Sequence, residues 1–199
     1  MSPVGGDENF TRVRQDDRLD PEEPELDIFL VILLSVLPVL VIVAALNDLT
    51  TMTIPNWISI GLIAGFAPAA FAVGMPLSDI VQHLGIGFCA LVLGIALFAM
   101  RLLGGGDAKL MAAVCLWLGL SGSLVFVLAT AVAGGLFSLG LILARSSPAL
   151  EVVAGAGACP DWFGRLMQPK GDVPYGVAIA LGALAAFPSS AIVQAFVGA

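Results

Sequence analysis

The chain has 199 residues, 59% of them hydrophobic and 12% charged, with a mean hydropathy of +1.02. A soluble domain of this length cannot hide that much apolar surface, so the composition excludes one and predicts a polytopic all-α membrane bundle in contact with the lipid bilayer. The net charge of −7 belongs to a tail, because nine of the fifteen acids (Asp7, Glu8, Asp16, Asp17, Asp20, Glu22, Glu23, Glu25, Asp27) lie in residues 1–27; it points to neither nucleic acid nor acidic lipid as partner.

In chain order, residues 1–27 are rich in Pro, Glu, Asp and Arg and poor in branched aliphatics. They cannot bury enough to offset the entropy of ordering, and a disordered tail is expected. The tail lacks the basic start and small-residue cleavage site of a signal peptide, so the first apolar run is expected to stay as an anchor. That run, Ile28 to Leu46, is uncharged and of spanning length, with Pro38 inside it. After the segment around Asp48 comes Ile58 to Met75, led by Trp57 as an interfacial anchor. A turn at Pro76-Leu77-Ser78-Asp79 leads to Ile80 to Leu103, which carries His83 near its start. His83 is read as an interfacial or hydrogen-bonded residue outside the site.

Ala108 to Leu120 is too short to span straight, and a tight turn over Gly119-Leu120-Ser121-Gly122-Ser123 leads to Leu124 to Ala144. Residues 145–173 form the one sizeable polar connection before the last run, Val173 to Val197. The expectation is therefore six transmembrane helices, the fourth short, in one domain over 28–199. Cys89, Cys115 and Cys159 are far apart with no Cys-x-x-Cys pair; they are read as small buried apolar residues, and no metal and no cofactor is expected. Trp57, Trp117 and Trp162 carry no signal beyond anchoring.

Six spans put the turns near Asp48, near Asp107 and at 145–173 on one side, with Arg101, Lys109, Arg145, Arg165 and Lys170. The other side holds only Arg12, Arg14 and Arg18, diluted by the acidic tail. The positive-inside rule then turns both aspartates to the cytoplasm and the tail outward.

An ionisable residue at membrane depth marks a functional site, and its partner has to be named. Asp107 follows Gly104, Gly105 and Gly106, which leave room for backbone or substrate to approach; Asp48 precedes Ile54-Pro55-Asn56, where Pro55 ends or kinks a helix. The two read as matched, acid-bearing breaks. Two carboxylates at similar depth are what an aspartic hydrolase needs, one ionised to take a proton from water and one protonated to polarise a carbonyl. Like charges in a poorly solvated site cannot both ionise cheaply, so the pair would share a proton. Lys109 reads as an electrostatic neighbour whose head reaches water. The acids alone leave open a small proton- or cation-coupled transporter and a non-enzymatic pilus or secretion assembly protein.

With Gly104-x-Gly106-Asp107 and an aspartate six residues before Ile54-Pro55-Asn56, the chain resembles the GxGD-type membrane aspartyl peptidases, and in particular the type IV prepilin leader peptidases. Asp107-Ala108-Lys109-Leu110 resembles the family's extension of that motif, and Pro174-Tyr175-Gly176 its closing segment at the last span. The resemblance covers roughly residues 28 to 197. It implies Asp48 and Asp107 as the catalytic pair, with Gly104, Gly105, Gly106, Lys109, Pro55, Asn56, Pro174, Tyr175 and Gly176 shaping the site. It further implies a prepilin or pseudopilin substrate, a basic leader followed by an apolar helix, cut at the cytoplasmic face of the bacterial inner membrane. Larger family members add a cytoplasmic domain with paired cysteines, for which there is no room here. The chain is similar to the short, peptidase-only form associated with tight-adherence pili.

Overall fold

A chain in hydrocarbon has to satisfy its backbone N–H and C=O groups internally, and helices do so within one segment. The computed structural model describes residues 28–147, 160–168, 171 and 173–197, and the structured elements among them are all helical. They are α1 (Ile28–Thr51), α2 (Asn56–Ala72), α3 (Leu77–Ala99), α4 (Gly105–Arg145), α5 (Asp161–Leu166), α6 (Tyr175–Ala186), a 3-10 turn (Phe187–Ser189) and α7 (Ala191–Val197). The acidic tail expected to be disordered lies outside the described residues.

By length and apolar content, α1, α3 and α4 are each able to cross a bilayer, and the bent pair formed by α6 with its 3-10 turn and α7 makes a fourth. The chain is a helical membrane protein. Helix α2 has 17 residues, and the expected fourth and fifth helices form the continuous element α4, two helical segments joined at a kink. The kink is confined to Gly119, whose φ of 67° and ψ of −169° suit a residue without a side chain, rather than spread over 119–123. Ser121 to Ser123 continue as helix.

α4 is the hub, packing against α2, α3, α6 and α7, while α1 packs on α2 and α6. Every residue from Ala112 to Gly119 is buried. A short first segment is tolerated because protein rather than lipid surrounds it. Lipid tails are as apolar as leucine, so association rests on close packing and buried hydrogen bonds. A methyl group on Gly94 of α3 would come within 3.0 Å of Ala108 Cβ, so the two backbones lie side by side. Trp117 Nε1–H donates to the Leu62 carbonyl at 2.8 Å, a bond worth about 1 kcal/mol. Trp117 is fully buried, so it is part of the core and not an interfacial anchor.

His83 is also internal. Its Nδ1 lies 2.8 Å from the Leu116 carbonyl, and its ring stacks on Phe66. In an unbroken helix residue 120 would donate to that carbonyl; the turn at Gly119 removes that donor, and His83 replaces it. Cys115 is buried as expected, Cys89 is exposed on α3 contrary to the expectation, and Cys159 lies outside the described residues. The last apolar run is interrupted around Pro188, whose missing N–H ends α6 in a 3-10 turn and bends the pair by 40°.

Candidate active site

Five described segments meet at one end of the bundle: the last turns of α1, the start of α2, the end of α3, the first turn of α4 and the first turn of α6. Asp48 does not stand in a break after α1. It lies inside the helix, which runs on to Thr51; Asn47 Nδ2, Thr50 Oγ1 and Thr51 Oγ1 each donate to the carbonyl four residues earlier, so these polar side chains are satisfied without leaving the helix. The buried positions of α1 are Leu34, Leu37, Val41, Ala44 and Asp48, spaced by three and four residues. Asp48 therefore continues the inward stripe and is 6% exposed.

Its carboxylate has one fixed partner. The Gly176 N–H, in the first turn of α6 where no intrahelical acceptor exists, donates to Asp48 Oδ2 at 2.7 Å. Pro174 is the N-cap and needs no acceptor for a missing N–H. Glycine is required at 176 by contact: an added Cβ would sit 2.8 Å from Asp48 Cβ and 2.9 Å from Oδ2.

Asp107 is the third residue of α4, after Gly105 and Gly106, so this helix starts earlier than the run at Ala108 predicted. Its carboxylate turns back to accept the N–H of Gly104, the N-cap residue, in the manner of a capping box. Asp48 and Asp107 line the same cavity, about 750 Å³ in volume, and the charge of Asp48 is felt at Asp107. Gly104 and Tyr175 line it too.

The other expected residues form a layer beside the cavity. Lys109 Nζ donates to Asn56 Oδ1 at 3.0 Å, and a Cβ on Gly106 would meet Ile54 Cβ at 3.1 Å, so the Ile54-Pro55-Asn56 turn rests on the first turn of α4. Pro55 is the N-cap of α2. Gly105 packs against Phe98.

Sequence reasoning missed Met52, Phe98, Arg101 and Leu102 in the cavity wall. Met52 follows Asp48 by one helical turn and Arg101 stands three residues before Gly104, so position alone could have flagged both. They are the two described non-glycine residues with left-handed backbone, at φ 55° and 59°. Each ends a helix, and Leu102 N–H reaches the Leu97 carbonyl to close the α3 terminus. Such backbone is costly and concentrates where a site is shaped.

Arg145 and Arg165 were read only as charges that set orientation, and they also make structural ties. Arg145 Nε and Nη1 donate to the Leu166 and Gly171 carbonyls at 3.0 and 2.9 Å. Arg165 Nη2 donates to the Thr50 carbonyl at the end of α1. Together they hold the segment leading into Pro174 against the helix that carries Asp48. Among the described residues, no three His, Cys, Asp or Glu side chains gather as a metal cluster.

A helical membrane protein with two carboxylates facing one cavity at the end of its bundle is the class these features define. The sequence profile of the type IV leader peptidase family matches residues 35–139, a little over half of the chain and a stretch that includes both aspartates. The chain belongs to the type IV leader peptidase family. Comparison with curated proteins finds no match, and comparison with solved structures finds none.

Proposed function

We propose that the protein is an aspartic endopeptidase that removes the leader from a type IV prepilin or pseudopilin. The observation that carries this reading is the meeting of Asp48 and Asp107 at a single cavity. One carboxylate takes a proton from a water, whose oxygen attacks the scissile carbonyl carbon; the other, protonated, gives its proton to the carbonyl oxygen. Collapse of the tetrahedral intermediate breaks the C–N bond, and the leaving amine takes up a proton from the dyad. The Gly176 and Gly104 N–H groups orient the two carboxylates for these transfers.

The chain is taken as one peptidase domain from 28 to 199 with six crossings, counting α2 and the two segments of α4 as separate spans. The basic residues Arg101, Lys109, Arg145 and Arg165 then gather at the end that holds the aspartates, on the cytoplasmic face of the inner membrane, and the tail faces outward. A transport path would call for ionisable groups spread across the membrane. A pilus or secretion assembly scaffold would not depend on the two acids at all.

The test is cleavage of a co-expressed prepilin, followed by gel mobility, with Asp48→Asn and Asp107→Asn matched to wild type in membrane level. Each variant is expected to lose roughly 100- to 10,000-fold in rate, the range for removing a positioned acid or base. Cleavage that survives both substitutions would sink the dyad.

A further inference from the structure

Beside the carboxylate cavity lies a second hollow of about 910 Å³. α2 and α3 are consecutive in the chain and touch where Phe66 stacks on His83, but elsewhere α3 packs on α4, and α2 on α1 and α4. Between them runs a trough with the first segment of α4 as its floor. Bulky exposed side chains such as Ile63 of α2 and Phe88 of α3 form the walls, whereas the buried lining is mostly small, with Gly87, Ala108, Ala112 and Ala113 beside Leu116. A floor of small residues lets another helix bring its backbone close, which is how helices associate in lipid. Along α3 the trough runs from Leu84 to Phe98, about 21 Å at 1.5 Å per residue, most of a bilayer's hydrocarbon depth.

Its two ends differ in chemistry. At the end near the aspartates it is bordered by Lys109, Asn56 and Gly105, and Phe98 lines both this trough and the carboxylate cavity. Ser59, one turn along α2 from Asn56, is 5% exposed, lines the trough and has no hydrogen-bond partner among the described residues. The Ser59 hydroxyl is not sealed off and can both donate to and accept from a polar group of an occupant. The remainder of the trough is apolar.

We propose that this trough receives the apolar helix that follows the cleaved bond of the peptide substrate; the inference rests on the peptidase reading above. The arrangement fits a chain that is helical and apolar over most of its length and unwinds at one end. The helical part lies on Gly87, Ala108 and Ala112. The unwound start, with free backbone groups, meets Ser59, Asn56 and Lys109 and passes Phe98 to reach the carboxylates. Continuity with the carboxylate cavity separates this occupant from a lipid chain or a second copy of the protein.

The test is site-specific photocrosslinking in membranes from cells that co-express the prepilin. p-Benzoylphenylalanine replaces Phe88 in an Asp107→Asn chain, which leaves the substrate uncut, and replaces Leu136 on the far half of α4 as a membrane-facing control. The expected result is a covalent prepilin adduct from position 88 and none from 136. Equal adducts at both positions, or adducts at 88 with lipid or a second copy and none with prepilin, overturn the proposal. As an independent measure, Ala112→Leu fills the floor and is expected to raise KM for the full-length prepilin roughly tenfold, about 1.4 kcal/mol of helix docking, with kcat little changed. An unchanged KM in a variant that retains the wild-type melting temperature also overturns it. If the wild-type chain cuts no prepilin, the peptidase reading falls and takes this one with it; if it cuts but no prepilin adduct forms at 88, the trough assignment alone falls.

Discussion

Asp48 and Asp107 face one cavity from two different kinds of cradle. Asp107 is held by its own neighbours: Gly104 three residues earlier donates to it, and α4 begins around it. Asp48 is held across the fold, by an N–H 128 residues later in the chain, and only the packing of α6 against α1 brings Gly176 to it. One carboxylate is set by local chain geometry and the other by assembly of the bundle. The second should therefore report on tertiary packing and the first should not.

Among substitutions in the two cradles, Gly176→Ala gives the largest expected effect. The added methyl would lie 2.8 Å from Asp48 Cβ, an atom fixed to the α1 backbone, so α6 or α1 has to move. Overpacking of this kind costs about 1–3 kcal/mol. A displacement of the carboxylate by even an ångström costs on the order of 100-fold in rate. Melting in mild detergent and prepilin cleavage should fall together. A variant that melts like wild type and still cuts would mean that Asp48 does not depend on α6.

Gly104→Ala separates stability from activity. Its methyl would meet only Asp107 Oδ2, at 2.7 Å, the free end of a side chain that can rotate, and a φ of −70° suits alanine. Stability should drop by no more than about 0.5–1 kcal/mol for a poorer N-cap. Cleavage should slow about tenfold, the equivalent of one lost hydrogen bond at the carboxylate. If Gly104→Ala destabilises as much as Gly176→Ala, the distinction between a local and a tertiary cradle fails.

The same distinction explains what could be read from the chain. Asp107 was legible because three glycines and a helix start stand beside it in sequence. The position of Asp48 at the end of an apolar run was also legible, but not its inward direction. α1 is apolar on every side, so hydrophobicity does not reveal which face packs inward, and Leu34, Leu37, Val41 and Ala44 are distinguished only once the bundle is assembled. Trp117 was mistaken for an anchor for the same reason, since an indole at the lipid surface and one bonded to the Leu62 carbonyl occupy similar sequence. The kink at Gly119 was anticipated but drawn too wide, because Ser121 and Ser123 suggest a turn. Ser123 instead donates to the Cys115 carbonyl inside the helix. The break before α7 at Pro188 was passed over because proline is common enough within spans to be read as tolerated. Arg145 and Arg165 bond to carbonyls distant in sequence, and no local pattern announces such partners.

The smallest expected effect lies at Asn56 and Lys109, the tie between the start of α2 and the first turn of α4. Both side chains are exposed, so their 3.0 Å bond competes with water, and Asn56→Ala or Lys109→Ala should each cost less than about 1 kcal/mol. A double-mutant cycle on melting isolates the pair, with an expected coupling of about 0.5 kcal/mol. The cycle also tests whether the cavity is held from this side. Ile54 already touches Gly106 beneath the bond, and if that packing alone fixes the turn, the coupling vanishes and cleavage is unchanged in all three variants. If the bond orients the first turn of α4, cleavage falls in both single variants and no further in the double one. Asp107 would then have a distant partner as well, transmitted through its helix, and its cradle would be less local than its sequence makes it look.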